Sequence, residues 1–313
     1  MRNTIFFYYF KLLRPRQWLK NFALFAAPMF GGQLFLPEVM IPIVWGFIAF
    51  CLLSSATYVI NDLLDIEKDK LHPFKKNRPI AAGVISPRAG IIYFVFLIST
   101  SLYISFHTSI LFFLIAVLYL ILQLSYSLIF KNIVIFDILI IASGYFLRVY
   151  AGEILSGYHI SIWLLLTTVS ISLFLAVGKR RSELTLLKDK TGSHLAAVRK
   201  SLSHYSEHLL DAYSMMFAAS TLIFYALFTF QESSRGIQAP EIFLPEFLPD
   251  YFQRKWLMVT TFPVIYGVMR YLQDIYEKSE GESPERVLLS DKALLSAVIM
   301  WGLLVIFVIY VIG

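Results

Sequence analysis

The chain has 313 residues, 58% of them hydrophobic and only 15% charged, with a net charge of +6. A soluble domain is roughly 45–50% apolar and roughly 25% charged. With a mean hydropathy of +0.68, this balance excludes a disordered or disulfide-stapled chain and leaves too few charges to coat a soluble globule.

About 20 apolar residues cross a bilayer as a helix. In chain order the qualifying stretches are 19–36, 41–60, 89–106, 109–129, 132–153, 160–178, 213–231, 256–273 and 293–312. They predict an all-α polytopic membrane protein with nine transmembrane helices, residues 1–313 forming one domain. The basic, aromatic start lacks a small-residue cleavage site, so the first stretch reads as a retained span. Of the 27 Lys and Arg, 23 fall on the side of the N-terminus and three on the other, with Arg148 inside a span. That asymmetry puts the N-terminus in the cytoplasm. The positive charge therefore reads as membrane topology, not nucleic-acid binding. Residues 182–212 predict an amphipathic helix on the inner side, and the proline-containing segment 232–255 lies outside.

The chemistry concentrates where the second span meets the cytoplasm. Asn61, Asp62, Asp65 and Asp69 fall within about 100° on a helix turning about 100° per residue. The three carboxylates, sharing one face with an amide, repel one another unless a cation joins them. Hard oxygen donors suit magnesium, which completes its shell with phosphate oxygens and water. Asn61, Asp65 and Asp69 are thus the candidate catalytic and metal-binding set, with Asp62 beside them. The same pattern also suits a solvated helix end neutralised by Lys68 and Lys70. Downstream, Lys75, Lys76 and Arg78 form a cationic loop shaped by Pro73, Pro79 and Gly83, suited to a phosphorylated substrate or to topology alone.

The motif Asn-Asp-x-x-Asp-x-x-x-Asp, followed by Arg78-Pro79-Ile80-Ala81-Ala82-Gly83, resembles the first signature of the UbiA superfamily of intramembrane prenyltransferases. Arg14-Pro15-Arg16-Gln17-Trp18-Leu19-Lys20-Asn21, His72-Pro73-Phe74-Lys75 and Gly178-Lys179-Arg180-Arg181-Ser182-Glu183 are similar to its phosphoribosyl-transferring branch. So are Ser125-Tyr126-Ser127 through Lys131, and Pro284 to Asp291. The resemblance implies a UbiA-type bundle around a cavity open to the cytoplasm and to the bilayer of a bacterial or archaeal membrane. It also implies phosphoribosyl diphosphate and a polyprenyl phosphate as substrates, with Mg2+ as cofactor.

Superfamily members usually carry a second acidic motif at the end of the sixth span. This chain has Lys179, Arg180 and Glu183 there, which favours direct phosphate binding by the two cations over a second metal face. The bland alternative is topological anchoring with a Lys179–Glu183 helix pair. Lys131 and Tyr126 flank the turn between the fourth and fifth spans; Lys131 either reaches a phosphate or pairs with Asp137. Lys20, near Trp18, either holds a lipid phosphate or anchors the interface. Arg148 reads as a structural pair or a snorkelling side chain, and Arg270 as a partner for Asp274. The rival functions are an aromatic prenyltransferase using a polyprenyl diphosphate and a non-catalytic transporter or lipid-binding protein.

Overall fold

The computed structural model describes residues 2–71, 75–191, 202, 204–231, 256–278 and 284–312, for residues 2–5, 71, 186–191 and 278 in their backbone only. The expected inner amphipathic helix, 182–212, lies in part outside these residues, and the outer segment 232–255 lies outside them entirely. The described chain is all helical. Its α-helices are α1 (Arg2–Leu13), α2 (Ala26–Phe30), α3 (Pro37–Leu64), α4 (Ile66–Leu71), α5 (Pro87–Thr108) and α6 (Ile110–Leu128). They continue with α7 (Phe136–Ser156), α8 (Ile162–Thr191), α9 (Glu207–Gln231), α10 (Thr261–Lys278), α11 (Pro284–Ser290) and α12 (Lys292–Phe307).

Seven of these are long and apolar enough to cross a membrane: α3, α5, α6, α7, α8, α9, and α12 with its π-helical extension to Ile312. The protein is therefore an integral membrane protein. Two of the nine expected spans take another form. The 19–36 stretch is a 3-10 segment, Pro15–Phe25, followed by the five-residue α2. The 256–273 stretch is a 3-10 turn, Trp256–Thr260, leading into the more polar α10. An 11-residue 3-10 run is long for that geometry. Here its polar side chains are held by neighbours: Trp18 Nε1 donates to Ser55 Oγ at 3.0 Å, and Asn21 is fully buried.

The faces of α5, α6 and α12 that carry Ile92, Phe96, Leu111, Leu114, Ile299 and Leu303 are exposed, as expected of helices against lipid. Inside, α3 packs along α5 and α8 along α9, while α7 joins the two pairs by touching both α3 and α8 and also packs on the 3-10 segment. One core cluster gathers Leu24, Phe50, Leu53, Phe112 and Leu147; another gathers Phe174, Tyr271, Ile275, Val287 and Leu294.

The contact between α7 and the 3-10 segment depends on Gly152. A Cβ there would stand 2.0 Å from the Leu24 carbonyl oxygen and 2.8 Å from its carbon. Backbone cannot swing aside as a side chain can. Gly152→Ala is expected to cost about 3 kcal/mol, the upper end of ordinary overpacking, read as a lowered Tm in detergent. Gly302→Ala, where a Cβ meets nothing within 4 Å, is the control and gains up to about 1 kcal/mol from helix propensity.

Candidate active site

The oxygen-rich face is built differently from a single helical stripe. α3 ends at Leu64 and Asp65 occupies its C-cap at φ −104°, ψ 16°, before α4 begins at Ile66. The break turns the acids toward separate partners. Asp62 is buried and receives both Arg14 and, at 3.0 Å, Arg78 Nη1. The same Arg78 nitrogen reaches Asp69 Oδ2 at 2.6 Å. Asp65 is met by Lys131 Nζ at 2.8 and 3.0 Å, with Lys68 at 3.9 Å. Asn61 keeps its Oδ1 buried with no hydrogen-bond partner among the described residues.

Burial lifts the Asp69 carboxyl above its ordinary value, and Arg78 and Lys75 pull against it. Arg14 holds a left-handed backbone, φ 51° and ψ 62°, a strained conformation for a side-chain-bearing residue. That kink, just before Pro15, directs its guanidinium to Asp62.

A second polar cluster lies one turn deeper, where Tyr58 precedes Asn61 on α3. Gln17 is its hub. Its Oε1 accepts from Lys20 Nζ at 2.6 Å and from Tyr58 Oη at 2.8 Å, and its Nε2 donates to Glu285 Oε1 on α11. Lys20 Nζ also stands 3.3 Å from Glu285 Oε2. Burial works against the Glu285 charge, yet Lys20, Lys179 and Gln17 hold its carboxyl below the ordinary range. Lys20 thus meets this carboxylate directly, while the Lys179 charge acts on it from α8.

The cations at the end of α8 part company. The sequence pattern assigns both Lys179 and Arg180 to phosphate, whereas Arg180 is fully buried within protein. Its Nε lies 2.8 Å from Asp137 Oδ2, its Nη1 donates to Glu183 Oε2 at 2.5 Å, and its Nη2 donates to Tyr126 Oη at 2.9 Å. The physical reason is the inward face of α7, which brings Asp137, also fully buried, against α8. Tyr126 and Glu183 therefore hold Arg180. Tyr205 Oη joins the group by donating to Asp137 Oδ1 at 2.8 Å and accepting from the Ile135 N–H at 2.7 Å. Ile135 is the other non-glycine residue with positive φ among the described residues, at 70°, so Tyr205 clamps a strained turn leading into α7. Lys131, in the same turn, reaches Asp65, and Lys76 is exposed.

Two further pairings settle on other partners. Arg270 bonds Asp291, the N-cap of α12, at 2.7 Å, where the expectation is Asp274. Arg148 is buried, donating to Asn21 Oδ1 and the Gly144 carbonyl, each at 2.6 Å, and to Tyr119 Oη at 2.7 Å. This is the structural role, met by neutral oxygens, with Tyr119's ring 4.8 Å from the guanidinium.

The donor set fits magnesium in chemistry. All four groups offer oxygen, Asn61 Oδ1 is unsatisfied, and Asp65 is the most open of the carboxylates, at 20% side-chain exposure against 2% for Asp62 and 5% for Asp69. Among the described residues no three His, Cys, Asp or Glu close on one point, so such a set would rely on Asn61, substrate phosphates and water to complete the shell. Sequence reasoning misses Gln17, Tyr58, Tyr271 and Glu285. For Gln17 and Glu285 the one signal is membership in the Arg14–Asn21 and Pro284–Asp291 segments, since neither hydropathy nor spacing brings residues 17 and 285 together.

Residues 22–290 match the model of the UbiA prenyltransferase family. A protein of Corynebacterium glutamicum named decaprenyl-phosphate phosphoribosyltransferase is 34% identical over 96% of this chain and 86% of its own length. One of the same name from Mycolicibacterium smegmatis is 33% identical over 93% and 89%. In fold, the chain is similar to a UbiA homolog from Archaeoglobus fulgidus bound to GPP and Mg2+, with TM-score 0.71 at 20% identity, covering 97% of this chain and 100% of that one.

Proposed function

The chain belongs to the UbiA prenyltransferase family, and on that premise we propose that it transfers the 5-phosphoribosyl group of 5-phosphoribosyl 1-diphosphate to a polyprenyl phosphate. The observation that carries this reading is the convergence of cations from separate elements: Arg14, Arg78 and Lys131 each reach a carboxylate of the acid face, and Lys20 reaches Glu285 in the neighbouring cluster. A donor bearing a diphosphate and a further phosphate offers those cations replacement anions. The names of the relatives point to the same pair of substrates.

In this reading the acceptor's phosphate oxygen attacks the anomeric carbon of the ribose. The bond from that carbon to the diphosphate oxygen breaks, and diphosphate leaves with the bonding electrons. A phosphate is already ionised at neutral pH, so no strong general base is needed. Asn61, Asp62, Asp65 and Asp69 would hold magnesium, which when bound neutralises charge gathering on the leaving diphosphate. Lys131, now against Asp65, and Arg78, now against Asp62 and Asp69, would bind oxygens of the same diphosphate. Lys20, Lys179 and the Lys75–Lys76 loop take the remaining phosphate charge. Arg180, enclosed by Asp137, Glu183 and Tyr126, is a positioning residue that fixes α8 so that Lys179 faces the cavity. The active site faces the cytoplasm, where a soluble donor arrives, and the lipid acceptor reaches it from the bilayer.

The test is direct. Purified protein with labelled phosphoribosyl diphosphate, magnesium and polyprenyl phosphate is expected to yield a labelled, lipid-soluble product. No such product, together with prenylation of hydroxybenzoate from a polyprenyl diphosphate, would replace this reading with the aromatic prenyltransferase. Failure of both reactions would favour a non-catalytic role.

A further inference from the structure

We infer that the polar cluster of Gln17, Tyr58, Glu285 and Tyr271 recognises ring hydroxyls of the sugar donor, and so sets its specificity for a ribosyl over a deoxyribosyl group. The inference rests on the phosphoribosyl-transfer reading and deepens it.

Two buried groups carry the argument. Tyr271 on α10 is 4% exposed, and its Oη has no hydrogen-bond partner among the described residues. It stands where α8 passes closely: a Cβ on Gly178, the residue before Lys179 in the chain, would lie 3.3 Å from that oxygen. Glu285 is 6% exposed, and its Oε2 accepts no hydrogen bond, although Lys20 Nζ is 3.3 Å away in ion-pair range. Tyr271 packs in one core cluster with Val287, two residues from Glu285 on α11, and the charges of Glu285 and Lys20 both act on its hydroxyl. Buried polar atoms are almost always satisfied, and an unsatisfied one calls for an explanation.

The chemistry of the cluster selects its occupant. An ionised carboxylate accepts and does not donate, with capacity for about four hydrogen bonds; Gln17 supplies one to Oε1. A phosphate here would be repelled by Glu285. A metal cation would be repelled by Lys20. What remains is a neutral group with O–H donors: Glu285 accepts from one hydroxyl, and Tyr271 gives to or takes from its neighbour. The flanking lysines, Lys20 and Lys179, are positioned for a phosphate on the same ligand. A hydroxylated ring carrying a phosphate combines both requirements. Tyr58, the member of the cluster on α3, stands about 4.5 Å along the helix axis from Asn61, the rise of three residues, which suits one sugar ring between the diphosphate face and this cluster. Gln17 cannot substitute for Glu285, since its amide oxygen already takes Lys20 and Tyr58.

The experiment compares Tyr271→Phe and Glu285→Gln with the parent enzyme, using phosphoribosyl diphosphate and its 2-deoxy and 3-deoxy analogues as donors. A site built to bond a hydroxyl rejects an analogue lacking it. With the natural donor, Tyr271→Phe is expected to lose roughly 10-fold in kcat/KM and Glu285→Gln roughly 30- to 100-fold, as for a neutral and a charge-assisted hydrogen bond. With the analogue that lacks the contacted hydroxyl, each variant should come within about twofold of the parent. Tyr271→Phe removes an oxygen that bonds nothing in the described protein, so its Tm is expected to stay unchanged and it guards against a folding artefact. Equal losses on all three donors, or no loss, would overturn the inference and leave Glu285 as a strut for Lys20. If the parent enzyme itself does not use phosphoribosyl diphosphate, the functional reading fails first and takes this inference with it.

Discussion

Asp65→Asn is expected to abolish magnesium-dependent turnover, with kcat/KM falling at least about 10³-fold while folded yield and Tm stay near those of the parent. The expectation comes from how Asp65 differs from the acids beside it. Asp62 and Asp69, themselves buried, are locked by Arg78, and Asp62 also by Arg14; removing either charge leaves a half-buried arginine short of its partner and costs stability. Asp65 sits at the break between α3 and α4, with a side chain 20% exposed and lysines as partners. A partly exposed pair of this kind contributes roughly 0–1 kcal/mol to the fold, and asparagine still offers Lys131 an oxygen. What asparagine lacks is the negative charge that a divalent ion needs. Turnover assayed across a magnesium titration separates the two roles: a weakened ligand shifts the magnesium requirement upward or removes the response. Near-normal activity at ordinary magnesium concentration would sink the metal assignment, and with it the first step of the proposed chemistry.

Much of this site is legible in the amino-acid order alone. The acid motif, the cationic loop after it and the seven long apolar helices all follow from hydropathy and spacing, because each is local in the chain. The features that escape such reasoning share one physical origin, which is that burial and pairing are decided by residues far away along the chain. No proline or glycine lies between Leu63 and Glu67 to announce the break at Asp65; it accompanies the division of the acids between Arg78 on one side and Lys131 on the other. Hydropathy makes 19–36 a span, since a window average cannot register that Asn21 is a buried polar anchor bonded to Arg148, 127 residues on. Lys20 is visible as a cation but its partners are not, because Gln17 and Glu285 are 268 residues apart. Arg270 takes Asp291 over Asp274 because capping α12 presents a carboxylate to it across the α11 turn.

The residue on which sequence and structure differ most also gives the largest expected effect on stability. Arg180→Met should lower the Tm in detergent by on the order of 10 °C, corresponding to about 3–5 kcal/mol for a buried ion pair broken on one side. Arg180 and Asp137 are both fully buried, and Glu183 is largely so. Without the guanidinium, the Asp137 and Glu183 carboxylates both lose the positive charge that they share across the α7–α8 contact. The guanidinium also spans Tyr126 on α6, so its loss loosens three helices at their common end. Arg180→Lys should fall between parent and Met, because an ammonium keeps the charge but cannot reach three partners with a planar fork. Adding Asp137→Asn to Arg180→Met should recover a large part of the loss, since an amide needs no counter-charge and can still accept from Tyr205. The kinetic side of the same experiment separates positioning from phosphate binding. With no exposed atom to offer, Arg180 should leave the KM for the donor within about threefold in Arg180→Lys, while kcat falls as Lys179 loses its rigid platform; a retained Tm with a KM raised tenfold or more would return Arg180 to the phosphate.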